Sequence, residues 1–148
     1  TGRTSAKNWS GVMPVFLDTN IFLYAAGQTH PQRDACVAVL RRVAAGTLEA
    51  TTNSEVIQEI LYVLVRRGRR EDGVALARHV ASLFPDLLPV TGEDMRRACD
   101  LIERYPQIPV RDTVHAATML GNGLKQVISV DEDFDQVREI CRVAPENA

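Results

Sequence analysis

Two aspartates interrupt apolar runs that otherwise belong in a protein interior. Asp18 ends "PVFL" within the stretch VFLDTNIFLY (15–24), and Asp131 ends "QVISV". A carboxylate at the end of a buried strand either caps the helix that follows or works as a functional group. In open α/β sheets functional groups gather beyond the carboxyl ends of the strands, so neighbouring strands would bring Asp18 and Asp131 to one sheet edge. Two further acids stand near apolar patterns. Asp112 opens "RDTVHAAT" just after Pro109, and Glu59 flanks the apolar stripe of "SEVIQEIL". Taken singly, Asp112 is a first-turn residue favoured by the helix dipole, and Glu59 is a solvated edge residue. Taken together, clustered carboxylates repel, and some stay protonated unless a cation joins them. Oxygen donors suit Mg²⁺ and Mn²⁺. Such an ion lowers the pKa of a bound water, orients a phosphodiester and stabilises charge developing on its oxygens.

The elements that must position these acids follow from periodicity and punctuation. Short apolar runs at "PVFLD", "LEATT", "LLPV", "KQVISVD" and "EICRV" read as strands, and no element is assigned to residues 19–28. "THPQRDACVAVLRRVAAG" reads as a helix capped by Thr29 or His30, with Pro31 at its first position and Gly46 at its end. "NSEVIQEILYVLVRRG" is a helix capped by Asn53 or Ser54, with Val56, Ile57, Ile60, Leu61 and Leu64 on one face and Gly68 as its stop. "REDGVALARHVASLF", "GEDMRRACDLIERY" and "RDTVHAATMLGNG" are further helices. Strands alternating with helices predict an α/β fold with a mostly parallel sheet, covered on both faces and therefore apolar along each strand.

Composition excludes several classes. The 148 residues are 45% hydrophobic and 24% charged, which suits one ordinary globular domain with a real core. A net charge of −2 leaves no global basic field, so nucleic-acid binding would need a local patch. Cys36, Cys99 and Cys141 are odd in number and far apart, which disfavours a disulfide framework or zinc site and fits a reducing cytoplasm. No apolar run approaches a membrane span. Residues 1–12 are polar and aperiodic and read as a tag remnant or loose extension ahead of a single domain over 13–148.

The blocks "FLDTN", "SEVIQEIL", "RDTVHAAT" and "ISVDEDF", in this order from Met13 to about Val143, resemble the PIN-domain nucleases, and more narrowly the VapC-type toxins of bacterial toxin–antitoxin pairs. The resemblance implies an α/β/α sandwich around a five-stranded parallel sheet. It places an acidic quartet on Asp18, Glu59, Asp112 and Asp131, holding Mg²⁺ or Mn²⁺ for RNA cleavage to 5′-phosphate and 3′-hydroxyl ends. It also implies a homodimer and a small antitoxin partner whose segment lies across the acids.

Other residues carry two readings each. Asp133, two positions after Asp131, either contacts a metal or caps the following turn. Asn20 and Ser129 match small polar positions of the family that support the acids, or serve as turn and cap residues; Thr19 is a weaker case. His115 shares a helix face with Asp112 and reads as a packed or supporting histidine before a catalytic one. Glu132, His30 and His79 read as surface or capping residues. Arg66, Arg67, Arg69 and Arg70 surround a helix end, where they either contact RNA phosphates or complement the helix dipole; Arg41 with Arg42, and Arg96 with Arg97, are smaller pairs. Tyr24, Tyr62 and Tyr105 read as core or interface residues. Rival classes are a catalytically silent PIN-fold binding module, an Asp/Mg²⁺ phosphatase and a receiver-like domain. The phosphatase needs a second acid two residues after its first, where Asn20 stands. The receiver needs an acidic pair at the first strand that "PVFLDTN" lacks.

Overall fold

A computed structural model describes Trp9, residues 11–27 and residues 29–148. Of the segment read as an extension, residues 1–8 and 10 lie outside the described residues. Trp9 packs on the core and donates its indole N–H to the Asn122 carbonyl at 2.9 Å. The chain runs β1 (Val15–Leu17), α1 (Thr19–Ala26), α2 (Arg33–Ala44), β2 (Ala50–Thr51), α3 (Ser54–Arg66), α4 (Arg70–Leu83), α5 (Gly92–Arg104), α6 (Val110–Gly121), β3 (Gln126–Ile128) and β4 (Cys141–Val143). Short 3₁₀ turns cover Glu132–Gln136 and Pro145–Asn147. The sheet has the order β2-β1-β3-β4, all parallel, and the helices flank it as an α/β/α sandwich.

This order decides where chemistry can happen. From β1 the chain crosses to β2 on one side, while β3 and β4 lie on the other, so the topological switch falls between β1 and β3. Leu17 is in register with Ile128, so Asp18 and Ser129, the next residues of the two strands, leave the sheet side by side. The Asp18 N–H still bonds to the Ile128 carbonyl at 3.1 Å, and Thr52 Oγ1 donates to the Leu17 carbonyl at 2.9 Å.

The sheet has four strands among the described residues where five were expected. "LLPV" contributes a single parallel bridge, Leu88 to Asn53, with Leu88 N bonded to the Thr52 carbonyl and Ser54 N to the Leu88 carbonyl. The ladder stops there because its partner turns into α3 at Ser54, and Val90 N donates instead to Ser54 Oγ at 3.1 Å. The unassigned stretch after Asp18 is helix α1. Its apolar residues Ile21 and Phe22 continue the run of β1, which hides the change of period. The turn is made by Asp18, whose backbone is extended while its side chain caps the helix by accepting from Thr19 N at 2.8 Å. The second helix starts at Arg33, later than Pro31 suggested; His30 Nδ1 instead accepts from Gln32 N at 3.1 Å.

α6 carries Asp112 and His115, and α5 holds its C-terminal half. The α5 capping box of Thr91 and Asp94 places the Asp94 carboxylate 3.1 Å from Arg97 Nη1, which also donates to the Ala117 carbonyl of α6 at 3.3 Å. A Cβ on Gly121 would lie 2.6 Å from Asp94 Oδ1 and 2.7 Å from Arg97 Nη1, so a larger residue there would have to push this ion pair aside. Inside, the Phe16 ring packs on the His115 ring with centroids 5.5 Å apart, both fully buried. Phe16→Ala removes the support of the sheet and of His115 at once. It should destabilise the protein by about 3–5 kcal/mol, measured by urea denaturation.

Candidate active site

Asp18 is the most completely bonded of the acids. Its Oδ1 accepts from Thr19 N at 2.8 Å, and its Oδ2 accepts from Ser129 Oγ at 2.6 Å and Asn20 Nδ2 at 3.1 Å. Ser129 Oγ in turn accepts from Asn20 Nδ2 at 3.2 Å and from Asp131 N at 2.9 Å. These bonds clamp the end of β1 to the end of β3. Asn20 and Ser129 are therefore more than turn formers: they orient Asp18 and the loop that carries Asp131. Burial pushes the Asp18 carboxyl above its usual range, opposed by His115, Ser129 and the Thr19 N–H, with Glu59 adding to the rise. Asn20 donates an amide hydrogen where a phosphatase of the Asp type would need an acid.

α3 and α6 bring a second pair. Glu59 is only 7% exposed, against its reading as a solvated edge residue. Its Oε1 lies 2.6 Å from His115 Nε2, and His115 Nε2 lies 3.8 Å from Asp18 Oδ1 and 3.4 Å from Thr19 Oγ1. The stripe of α3 faces the sheet, and α6 closes over its edge, so an edge position becomes interior. His115 is fully buried between Glu59 and Asp18.

Asp112, Asp131 and Asp133 form the third group. Each offers a carboxylate oxygen within 4.8 Å of the others. Asp131 caps the 3₁₀ turn, its Oδ1 accepting from Asp133 N at 2.9 Å. Burial works to raise its pKa, but the Asp133 N–H, the Asp133 and Asp112 carboxyls and the Arg111 charge together leave it below the usual value. Its hydrogen bond with Asp131 raises Asp133, with burial and the Asp131 charge adding. Asp112 bears the strain. It is buried in the first turn of α6, its Oδ2 has no hydrogen-bond partner among the described residues, and its pKa is pushed up to about 9. Burial is the largest cause, followed by the charges of Asp18 and Asp131, the Asp131 hydrogen bond and the Glu59 charge. An orphaned carboxylate oxygen beside two further carboxylates is a donor set that a hard divalent cation fits.

The arginines separate. Glu59, Tyr62 and Arg66 stand three and four residues apart on α3, so Arg66 shares the acid face and lies over the Tyr62 ring at 6.0 Å. Arg67 and Arg69 turn toward a cleft with Leu23 and Leu76, and Arg69 pairs with Asp72 at 3.0 Å. Arg70 is exposed at the start of α4. Arg111 was missed by the sequence reading, although it directly precedes Asp112. With Glu55, Glu59, Tyr62, Met95 and Val110 it lines a groove of about 520 Å³ beside the acids. Asn53 was seen only as a helix cap, yet its Nδ2 also reaches His115 Nδ1 at 3.1 Å.

The raised pKa of Asp112 has measurable consequences. The folded chain holds a proton there at neutral pH that the unfolded chain does not, so metal-free stability falls as pH rises from the ordinary carboxylate range toward about 9. Asp112→Asn removes the ionisation, and at pH 8 the metal-free variant should melt above the parent in calorimetry. A cation must displace that proton. Titration of the parent with Mn²⁺ at pH 7 should release about one proton per ion, read from the dependence of the enthalpy on buffer, with affinity rising as pH rises.

Comparison with known proteins agrees with this geometry. The PIN domain family model matches residues 15–140. Ribonuclease VapC7 of Mycobacterium tuberculosis is 33% identical over 135 residues, covering 90% of this chain and 93% of that protein. Ribonuclease VapC13 of the same organism is 29% identical over 130 residues, covering 88% and 99%. Among solved structures, VapBC2 from Rickettsia felis, bound to a promoter DNA fragment, superposes with a TM-score of 0.69 at 18% identity, covering 89% of this chain and 98% of that one. VapC20 of Mycobacterium tuberculosis, a toxin that cleaves the sarcin-ricin loop, gives 0.69 at 19% identity, covering 84% and 95%. With its sheet, its switch-point acids and these relatives, the chain belongs to the PIN domain family, alongside the VapC ribonucleases.

Proposed function

We propose that this chain is a metal-dependent endoribonuclease acting as the toxin of a toxin–antitoxin pair. The observation that carries the metal dependence is Asp112 Oδ2, a buried carboxylate oxygen with no partner, set beside Asp131 and Asp133. Asp112, Asp131 and Asp133, with Asp18, would hold Mg²⁺ or Mn²⁺. When bound, the ion polarises a water and the scissile phosphodiester and neutralises charge on its oxygens. The protein's own residues do the rest. Ser129, Asn20 and the Thr19 N–H keep Asp18 aimed at the cluster. Glu59 uses Oε1 on His115, and among the described residues its Oε2 has no donor, so that oxygen is available to take a proton from an attacking water. Arg111 and Arg66 flank the acids and would contact substrate phosphates, whereas Arg67 and Arg69 face another cleft and Arg70 stands apart.

Neighbouring solved structures include VapBC2 from Rickettsia felis and a toxin–antitoxin complex from Klebsiella pneumoniae, which supports an antitoxin partner here. A second copy would cover the exposed patch of Tyr62, Met95 and Val110 beside the groove, giving a homodimer. Residues 13–148 would then act as one domain, and the site of action is the cytoplasm, where RNA and antitoxin meet. Among the described residues no helix is long and apolar enough to cross a membrane.

Asp18→Asn keeps the cap oxygen of α1 and removes one negative charge from the cluster. RNA cleavage with Mn²⁺ should fall at least a hundredfold while circular dichroism stays unchanged, and a chelator should silence the parent to the same degree. Wild-type cleavage by the variant, or by the parent in excess chelator, rejects the mechanism.

A further inference from the structure

We infer that Asn53 is a positioning residue: it sets the tautomer of His115 and so presents an N–H to Glu59. The inference rests on the nuclease reading only for its effect on RNA cleavage. Asn53 caps α3, and its Oδ1 accepts from Val56 N at 3.0 Å. That bond fixes the amide, because the flipped arrangement would turn its NH₂ against the Val56 N–H. Nδ2 then lies 3.1 Å from both His115 Nδ1 and Thr118 Oγ1. Thr118 Oγ1 gives its own hydrogen to the Val114 carbonyl at 3.1 Å, so toward Asn53 it accepts. All three side chains are fully buried. The second amide hydrogen therefore meets a bare His115 Nδ1, and the ring proton stands on Nε2, 2.6 Å from Glu59 Oε1.

The opposite tautomer would turn a lone pair toward the Glu59 carboxylate at that distance and drive it away. Many residues cap a helix, Ser, Thr and Asp among them. Only an amide accepts from the helix with one atom while donating to an imidazole with the other. Asn53 touches no acid of the cluster; it acts through the ring on Glu59.

Asn53→Asp separates the two roles. Its carboxylate still caps α3 through one oxygen, but the other accepts and calls for a proton on His115 Nδ1. Nitrogen-15 NMR of imidazole, assigned with His30→Gln and His79→Gln variants, should show a pyrrole-like Nε2 and a pyridine-like Nδ1 for His115 in the parent. In Asn53→Asp it should show the proton moved to Nδ1, with Nε2 bare. In a variant whose Nε2 is bare, kcat for RNA cleavage should fall at least tenfold with KM unchanged. A protonated Nδ1 in the parent overturns the inference, as does a variant whose Nε2 keeps its proton, or wild-type kcat in a variant whose Nε2 is bare. If Asn53→Asp does not fold, the parent spectrum alone decides. If the parent cuts no RNA with Mn²⁺, the nuclease reading falls, and the spectra still decide the tautomer.

Discussion

Carboxylates gathered out of water repel one another, and the geometry around β1 and β3 holds several of them together in spite of it. The repulsion is not shared evenly. Asp18 receives three hydrogen bonds, from Thr19 N, Asn20 and Ser129, of which those from Thr19 N and Ser129 offset part of the rise in pKa that burial imposes on it. Asp131 is likewise served by the Asp133 N–H. Asp112 receives the residue of the conflict, with one oxygen buried and unpartnered. Its place in the first turn of α6 favours the charged form by about 0.3–1 kcal/mol. A pKa near 9 corresponds to an opposing cost on the order of several kcal/mol, so burial and neighbouring charge win over the dipole. The deficit is local, on a residue that shares its cluster with Asp131 and Asp133.

The parts of this arrangement legible in the sequence are those set by neighbours along the chain. Asp18 and Asp131 end apolar strands, and strand ends are where α/β sheets place chemistry. Asp112 at a helix start and its phase with His115 follow from the 3.6-residue repeat. What the sequence hides depends on partners far away. Glu59 reads as an edge residue because its burial comes from α6, more than fifty positions on. The pairing of Asn53 with His115 spans 62 positions and leaves no trace in either segment. α1 was missed because Ile21 and Phe22 continue an apolar run while the backbone turns at Asp18, and an apolar run carries no phase of its own. The fifth strand stops at a single bridge because its partner turns into α3 at Ser54, which the run "LLPV" itself does not show. The four arginines after Leu64 read as one cluster, yet helix rotation sends Arg66 to the acid face and Arg67 elsewhere.

The scaffolding around the acids is chosen by charge as much as by shape. The groups that orient Asp18 and Glu59 are backbone N–H groups, a hydroxyl, an amide and an imidazole. Arginines in the same places would grip the carboxylates as bidentate ion pairs. They would also cancel the negative potential. Neutral donors to a carboxylate contribute about 1.5–3 kcal/mol each and leave the field of the carboxylates in place. The nearest guanidinium to act on the cluster, Arg111, is exposed at its rim and lowers only Asp131. A site built this way keeps its attraction for a cation and restricts its own positive charge to the border, where an anionic polymer would arrive.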